Sequence, residues 1–358
     1  MTIASILFSI SYYMQLPSLL RWFLKAFADN PPIILFCHRI LPPQSKFSKL
    51  DELYHRLGHP TVEQFESQLN YLSKHHSVVS LEEAVNYMIS GRKLPAHPVA
   101  LNFDDGYHDN FSLAFPVLQD YQFKASFFLC TDFIDTGKIP FHDGIIYGLS
   151  RTRKKRVCIK DGNNRSYEYS LDTVNDRIKS FVEIQKTFKR LPYEKRTDYL
   201  NNLLVQLEVE IDSTFSNNLM LTWQEIKEME LSGHSFYAHT KSHPLLTILN
   251  VDELEEEVLE SKKIIHEKVS DGKRIFCYPY GKRGEFDKNI TQLLKDHGFD
   301  AACSAIHGIN RPGSDPYAIK RTAMISEPIG TFALRTSGLF EILKELQAQW
   351  KRKPNLNL

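Results

Sequence analysis

Short apolar runs alternate along this chain with longer segments of helical periodicity. From residue 33 onward the apolar runs lack polar alternation, which predicts parallel strands buried on both faces. The predicted strands span residues 33–37, 77–79, 99–103, 125–129, 235–238, 274–278 and 300–304. Strands that alternate with helices in this way predict an α/β fold built on a parallel sheet.

Several of the intervening segments begin with a helix-start signal, in which an N-cap residue is followed three positions later by Glu or Gln. The predicted pairs are Thr61 with Gln64, Ser80 with Glu83, Thr222 with Glu225, and Asp252 with Glu255.

The alternation of predicted strands and helices is interrupted between residues 141 and 221. A basic cluster at 151–156 leads into a predicted hairpin, with strands 157–159 and 167–169 around a turn at 161–164, and two charged helical segments follow. We interpret this stretch as an inserted α+β segment. Its basic cluster predicts either a solvated loop or a contact with anionic lipid or phosphate.

The chain therefore divides into three predicted regions. Residues 1–30 form an N-terminal apolar or amphipathic helix, residues 31–325 a barrel that contains the insertion at about 141–221, and residues 326–358 a C-terminal helix and tail.

The first 28 residues are rich in apolar side chains but carry a polar stripe at three- and four-residue intervals. The stripe consists of Ser11, Gln15, Ser18, Arg21 and Lys25. This spacing predicts a helix that packs on the protein or peripherally on a membrane rather than one that spans it. Because the basic start of a signal peptide is missing, we expect a cytoplasmic protein or one at the inner membrane face. Export is the alternative, since residues 26–28 resemble a cleavage site.

Composition narrows the class of protein. With 358 residues, of which 42% are hydrophobic, the chain can bury a large core. A formal net charge of +1 gives no reason to expect a nucleic-acid partner. The five cysteines are scattered without a CxxC pair, which argues against a disulfide framework or a thiolate zinc site.

Polar residues follow four of the predicted strands directly. His38 follows the first, Asp104 and Asp105 follow 99–103, His239 follows 235–238, and Pro279 follows 274–278. In a β/α barrel, the carboxyl ends of the strands meet on one face. We therefore expect these residues to share one site.

The adjacent carboxylates of Asp104 and Asp105 would repel each other in a partly buried cleft unless a cation or a proton separates them. His239 and His243, four residues apart, can reach one cation together if their segment turns as a helix. With one Asp they give three protein ligands and leave room for water and a substrate oxygen. Such ligands predict a divalent metal, Zn²⁺ first, with Co²⁺ or Ni²⁺ as alternatives. An ordinary turn or helix cap would explain the Asp pair but not the histidines.

Three segments resemble the first motifs of the polysaccharide deacetylases, the NodB-homology domain of carbohydrate esterase family 4. They are Asn102-Phe-Asp-Asp-Gly106, His239-Thr-Lys-Ser-His243 and Phe276-Cys-Tyr-Pro-Tyr-Gly281. The resemblance covers about residues 33–325 and implies a distorted (β/α)7 barrel with metal-dependent hydrolase activity. The implied substrate is an N-acetylated cell-surface polysaccharide, oligosaccharide or lipid-linked glycan precursor. A deformylase or O-acetyl esterase with the same metal centre, or a non-catalytic saccharide-binding protein, are the alternatives.

The resemblance also implies roles for individual residues. Asp104 resembles the general base, and Asp105 resembles the metal ligand beside His239 and His243. The family often has its general acid in a Leu-x-His setting near the end of the domain, but no such copy follows His307.

Some family members look circularly permuted, and Leu35-Phe-Cys-His38 fits that arrangement. We therefore expect His38 to be the acid, with His307 as the alternative. A third interpretation is that His38 only forms a hydrogen bond at the end of its strand. The backbone N–H of Tyr280, which follows Pro279, is expected to help stabilise the oxyanion.

One position departs from the family pattern. An Arg that orients the base often precedes the Pro by two residues, where this chain has Cys277. Arg321 or Arg39 is expected to supply the missing cation. Tyr107 extends the Asp loop toward the substrate, and Tyr280 offers a ring for stacking on a sugar.

Overall fold

The computed structural model describes residues 31–160, 165–269 and 274–338. The predicted N-terminal helix, the hairpin turn at 161–164 and most of the predicted C-terminal region lie outside these residues, so the domain boundaries stay predictions. Among the described residues, no helix combines the length and apolar character needed to cross a membrane.

Eight of the ten described strands form one parallel sheet, and two form a separate antiparallel hairpin. In chain order the strands are β1 (Ile33–Cys37), β2 (Ser77–Val78), β3 (Pro98–Phe103), β4 (Ser126–Leu129), β5 (Arg156–Lys160), β6 (Ser166–Ser170), β7 (Ser235–Ala238), β8 (Ile275–Cys277), β9 (Ala301–Cys303) and β10 (Thr322–Ala323). The sheet order is β10-β1-β3-β4-β7-β8-β9, with β2 beside β3. The order confirms the predicted α/β barrel.

The short segment 319–323 connects the two edges of this sheet. Ile319 forms a parallel bridge with Cys303 of β9, and its carbonyl accepts the N–H of Ser304 at 2.9 Å. Leu35 of β1 pairs with Thr322, the first residue of β10. Seven strands therefore follow one another around the barrel. The last strand of the chain, β10, lies beside the first, β1.

Twelve described α-helices accompany the strands. They are α1 (Lys49–Arg56), α2 (Val62–His75), α3 (Leu81–Ser90), α4 (Phe115–Asp120), α5 (Phe141–Arg151), α6 (Val174–Phe188), α7 (Tyr193–Leu207), α8 (Ser213–Asn217), α9 (Trp223–Leu231), α10 (Val251–Lys268), α11 (Lys288–Asp296) and α12 (Ile329–Arg335). The predicted capping boxes at Thr61, Ser80 and Thr222 are confirmed, since each side chain accepts the N–H three residues later.

The predicted helix start at Asp252 is wrong by two residues. Helix α10 begins at Val251, and the side chain of Asn250 accepts the N–H of Glu253 in a complete capping box. Asn is as good an N-cap as Asp, so the upstream pair takes the cap. Asp252 then lies in the first turn, where its charge favours the positive end of the helix dipole.

Both faces of the sheet are buried, as the uninterrupted apolar runs predict. Ile34, Ala100, Phe128 and Tyr237 pack in one cluster with residues of α3. The alternating neighbours in the same strands pack in a second cluster under α2 and the helices beside it. The buried strands form a rigid base for the loops at their carboxyl ends.

The insertion has a hydrophobic core of its own, formed mainly by α5, α6, α7 and the hairpin. In the hairpin, Val157 pairs with Tyr169 as the sequence predicts. The basic cluster lies at the surface, where Lys154 pairs with Glu208 at 3.0 Å and Arg156 with Glu168 at 2.8 Å. These ion pairs favour a solvated loop over an anion site.

Candidate active site

A cleft of about 550 Å³ opens at the carboxyl ends of the barrel strands. His38 follows β1, Asp104 and Asp105 follow β3, and His239 and His243 follow β7, and all five residues line this cleft. The barrel thus brings into one cleft residues that lie up to about 200 positions apart in the chain, as the sequence predicts.

The three predicted metal ligands converge on one point. Asp105 Oδ1 lies 3.3 Å from His239 Nε2 and 3.5 Å from His243 Nε2. The three residues are buried, and their ligand atoms all lie within 4.8 Å of one another. Asp105 Oδ1 has no hydrogen-bond partner in the part of the chain that the structure describes. Because a buried carboxylate oxygen normally has a partner, this group fits a bound cation.

The segment from His239 to His243 does not turn as a helix. Thr240 and His243 adopt left-handed backbone conformations, with φ of 65° and 55°, so the segment is a loop. The Thr240 hydroxyl accepts the N–H of His243 at 3.0 Å and stabilises this loop. The two imidazoles meet because the chain reverses, not because they share a helix face.

Glu257 of α10 holds the same loop from outside. Its Oε2 accepts the N–H of Lys241 at 2.9 Å and the N–H of Ser242 at 2.8 Å, while Oε1 accepts the Ser242 hydroxyl. Left-handed conformations of non-glycine residues cost about 1 to 3 kcal/mol each, so a loop with two of them needs such support. The sequence contains no motif that marks Glu257 for this role.

The ring of His239 is fixed by a backbone contact. Its Nδ1 donates to the carbonyl oxygen of Cys277 at 2.7 Å, which leaves Nε2, 3.3 Å from Asp105 Oδ1, as the ring atom that can face a cation. Metal-binding histidines commonly have such a partner on the second nitrogen. Burial also lowers the pKa of His243 well below its usual value, which keeps this ring neutral and able to bind a cation.

The Asp-Asp-Gly turn directs Asp105 into the cleft. Asp105 and Gly106 both have left-handed φ values, 75° and 84°. A Cβ atom at position 106 would come within 2.9 Å of the Leu129 side chain, so the turn requires glycine there on grounds of space as well as conformation.

Asp104 is bound by Arg321. The Nη1 and Nη2 atoms of the guanidinium donate to the two carboxylate oxygens at 2.8 and 2.7 Å, and Nε donates to the carbonyl of Ser304 at 2.8 Å. Burial raises the pKa of Asp104, but the Arg321 charge outweighs burial and brings the pKa below its usual value. Asp104 is therefore an ionised acceptor for a proton.

Of the two arginines that were expected to replace the family's Arg, the structure brings only Arg321 to Asp104. Its Nη2 lies 3.1 Å from the sulfur of Cys277, the position where the family's Arg would stand. Arg39 instead pairs with Asp109 at 2.8 Å. The N–H groups of Arg321 are directed to Asp104 and to the Ser304 carbonyl rather than into the open cleft, where a substrate group would lie.

A second group of potential ligand atoms consists of Asp104, His239 and Cys277. Both oxygens of Asp104 already accept hydrogen bonds from Arg321. Burial raises the pKa of the Cys277 thiol to about 11, so the thiolate that a metal needs is scarce. Asp105, His239 and His243 are therefore the better metal site.

The structure separates the two candidate acids. His38 lines the cleft, and its ring lies 6.2 Å from the ring of His59, which lines the cleft as well. His307 is exposed, lies outside the cleft lining and has its Nδ1 3.2 Å from the Thr322 hydroxyl. Of the two candidate acids, only His38 lines the cleft that contains Asp105, His239 and His243.

The remaining predicted residues have different surroundings. The Tyr280 ring lies 4.8 Å from the ring of His243, and its φ of 61° follows the turn at Pro279, whose own side chain does not line the cleft. Tyr107 is buried and donates its hydroxyl to Asp143 at 2.9 Å. The Tyr107 hydroxyl thus contacts α5 of the insertion rather than pointing freely toward a substrate.

Two further histidines line the cleft, and the sequence does not indicate either as a site residue. His59 follows α1, and His142 belongs to α5 in the insertion, with its ring 5.7 Å from that of His243. Neither lies at the end of a strand or in a recognisable motif. The packing of α5 against the barrel loops, which places His142, is a tertiary effect without a local signal.

A family model described as polysaccharide deacetylase matches residues 91–302. The match covers more than half of the chain. This chain belongs to the polysaccharide deacetylase family. The matched region contains the Asp pair, the histidine pair and Cys277, whereas His38 and Arg321 lie on either side of it. His38 directly follows β1 and Arg321 directly precedes β10, so these two strands position them in the cleft.

Individual polysaccharide deacetylases are similar to the chain. A poly-beta-1,6-N-acetyl-D-glucosamine N-deacetylase of Staphylococcus epidermidis is 37% identical over 147 residues, which cover 39% of this chain and 48% of that protein. The chain thus matches about half the length of this relative.

Solved structures of deacetylases share the fold. The deacetylase PplD of Streptococcus pyogenes, determined in complex with acetate, has a TM-score of 0.57 at 18% identity, over 86% of this chain and 98% of PplD. IcaB from Ammonifex degensii has a TM-score of 0.51 at 19% identity, over 86% of this chain and 98% of IcaB. At these identities the similarity confirms the barrel architecture.

Proposed function

We propose that the protein is a metal-dependent N-deacetylase that hydrolyses the acetamide group of an N-acetylglucosamine-containing glycan. The observation that carries this proposal is the convergence of Asp105, His239 and His243 beside an Asp104 that Arg321 keeps ionised. The activity of the Staphylococcus epidermidis relative on a polymer of N-acetylglucosamine supports the substrate class.

Asp105, His239 and His243 would hold the metal, and the mixed nitrogen and oxygen donors suit Zn²⁺, with Co²⁺ and Ni²⁺ as alternatives. When bound, the metal would polarise the acetamide carbonyl and lower the pKa of water. Three protein ligands leave positions for both.

The residues of the chain would then move two protons. Asp104 accepts a proton as water attacks the acetamide carbon, and its pairing with Arg321 keeps it in position. His38 donates a proton to the sugar nitrogen as the carbon–nitrogen bond breaks, which gives acetate and a free amine. The backbone N–H of Tyr280 is the proposed donor to the developing oxyanion.

Acetate release from N-acetylglucosamine oligosaccharides tests this function. The metal-loaded protein should release acetate, a chelator should stop the release, and Asp104→Asn should lower it by at least about 10²-fold while it retains metal. Formate release from N-formyl sugars, or acetate release only from O-acetyl sugars, would support the alternative enzymes. Saccharide binding with no release by metal-loaded protein would support a non-catalytic binding protein.

A further inference from the structure

The inserted helix α6 forms one wall of the cleft described above. Val182, Gln185, Lys186 and Lys189 line the cleft from this helix. Ile184 and Phe188, on the other side of α6, belong to the hydrophobic core of the insertion. The wall is thus the polar face of an amphipathic helix whose apolar face is anchored.

An ion pair fixes this wall to the barrel. Lys189 Nζ lies 2.6 Å from Glu285 Oε1, and the two side chains are only 19% and 13% exposed. The same Nζ lies 5.0 Å from the centre of the Tyr280 ring, which in turn lies 4.8 Å from the ring of His243. A single aromatic ring therefore separates α6 from a proposed metal ligand, so a glycan bound at the metal must pass along this wall.

Each carboxylate that lines the cleft has a positive partner. Arg321 pairs with Asp104 and Lys189 with Glu285, while Asp105 faces the proposed metal. These pairs leave little negative charge in the cleft to oppose further cations.

Two further lysines line the cleft and give it a surplus of positive charge. Lys186 lies one turn before Lys189 on α6, and Lys282 lies in the facing loop, three residues before Glu285. Neither forms an ion pair with any residue that the structure describes. Clefts lined by one sign of charge concentrate ligands of the opposite sign.

We propose that the cleft selects a glycan with an anionic group, a phosphate or a carboxylate, close to the N-acetylated sugar, and that Lys186 and Lys282 bind this group. The inference rests on the proposed function and specifies its substrate. Both side chains are exposed, so each contact is expected to change affinity by no more than about fivefold. Lysine binds as a point charge and accepts either kind of anion.

The test compares three N-acetylated oligosaccharides of equal length: a neutral one, one with a phosphate monoester and one with a uronic acid residue. At low ionic strength, at least one anionic substrate should have a KM about tenfold lower than the neutral substrate at similar kcat. The difference should shrink as NaCl is added, because salt screens exposed charges. A preference for one of the two anions identifies phosphate or carboxylate as the natural group.

The variant Lys186→Gln with Lys282→Gln should abolish the preference, so that the KM of the anionic substrates rises to that of the neutral substrate. The matched control, Lys93→Gln with Lys288→Gln, removes the same charge from exposed positions outside the cleft and should retain the preference. Equal kcat/KM on neutral and anionic substrates, or a preference that survives in the cleft variant, would overturn the inference.

If none of the three substrates releases acetate, the proposed function is refuted. The preference for an anionic glycan is then tested by measuring binding alone. Calorimetry with the metal-loaded Asp104→Asn protein and the same oligosaccharides should show tighter binding of an anionic substrate. Equal affinities for all three would overturn the anion preference.

Discussion

Arg321 and Asp104 lie 217 positions apart in the chain and form two parallel hydrogen bonds at 2.8 and 2.7 Å. The guanidinium comes from the residue directly before β10, the last strand, and its Nη2 also contacts the sulfur of Cys277. A cation from a distant part of the chain thus binds both oxygens of Asp104, beside the position where the family's Arg would stand.

The Arg321→Ala variant should have a kcat lowered by roughly 10²-fold, because the proposed base loses both its orientation and its counter-ion. It should also lose about 3 kcal/mol of unfolding free energy, since the buried Asp104 carboxylate becomes unpaired. Steady-state kinetics, metal content and urea unfolding measure the three quantities. Arg335→Ala is the control: it removes an ion pair with Glu327 and a hydrogen bond to the Ala323 carbonyl but no contact with Asp104, so stability should fall while kcat stays unchanged. Full kcat in Arg321→Ala would refute the role of the pair.

Glu257→Gln should weaken metal binding by roughly 10- to 100-fold, because the carboxylate that accepts the N–H groups of Lys241 and Ser242 becomes a neutral amide, whose hydrogen bonds to the loop are weaker. Competition with a chromophoric chelator measures the dissociation constant directly. The neighbouring Glu256→Gln makes the same charge change on the same helix, but Glu256 contacts only the ammonium of Lys241. Equal metal affinity in the two variants would contradict the role of Glu257.

His38→Ala should lower kcat by 10²-fold or more and retain the metal, because the leaving amine loses its proton donor but no ligand is removed. His307→Ala is the matched control and should be fully active, since His307 lies outside the cleft lining. Metal analysis together with kinetics separates loss of the acid from loss of the site. A decrease in kcat in His307→Ala but not in His38→Ala would reverse the assignment.

Stability should fall on mild acidification because of His234. Burial lowers the pKa of His234 to about 4, and its Nδ1 accepts the N–H of Ala125 at 3.1 Å, so the folded protein holds the neutral ring. In the unfolded chain the ring binds a proton below about pH 6.5, so this contribution is complete above that pH and declines toward pH 4. Linkage gives a loss of about 2 kcal/mol between pH 8 and pH 5.

Urea unfolding at the two pH values measures this loss in the wild-type protein and in His234→Gln, whose amide can still accept the Ala125 N–H. The variant should show a pH dependence that is smaller by about 2 kcal/mol. An identical pH dependence in the two proteins would assign the acid sensitivity to other groups.

The strands and their carboxyl-end residues could be predicted because both depend on short-range patterns. A run such as Ile33–Cys37 can be buried only in a sheet with both faces covered, and the residue after it must then lie at the sheet edge. The helix start at Asp252 was misplaced because Asn250 offers an equally good cap two residues earlier.

The remainder of the site depends on long-range geometry. The reversal at Thr240 and His243 needs left-handed conformations that these residue types rarely adopt, so the sequence contains no local signal for it. Arg321 rather than Arg39 contacts Asp104 because Arg321 directly precedes strand β10. This strand has two residues and is too short to give a periodic signal in the sequence. His142 enters the cleft only through the packing of the insertion on the barrel.

The closure of the barrel by residues 319–323 also depends on the part of the site that is synthesised last. The proposed metal ligands are all complete by residue 243, whereas the cation that orients Asp104 is added only at residue 321. Glu257 and Cys277, whose contacts hold the loop and the ring of His239, are synthesised between these two points. The proposed site is therefore complete only when the last described strand has docked beside β1 and Arg321 has reached Asp104.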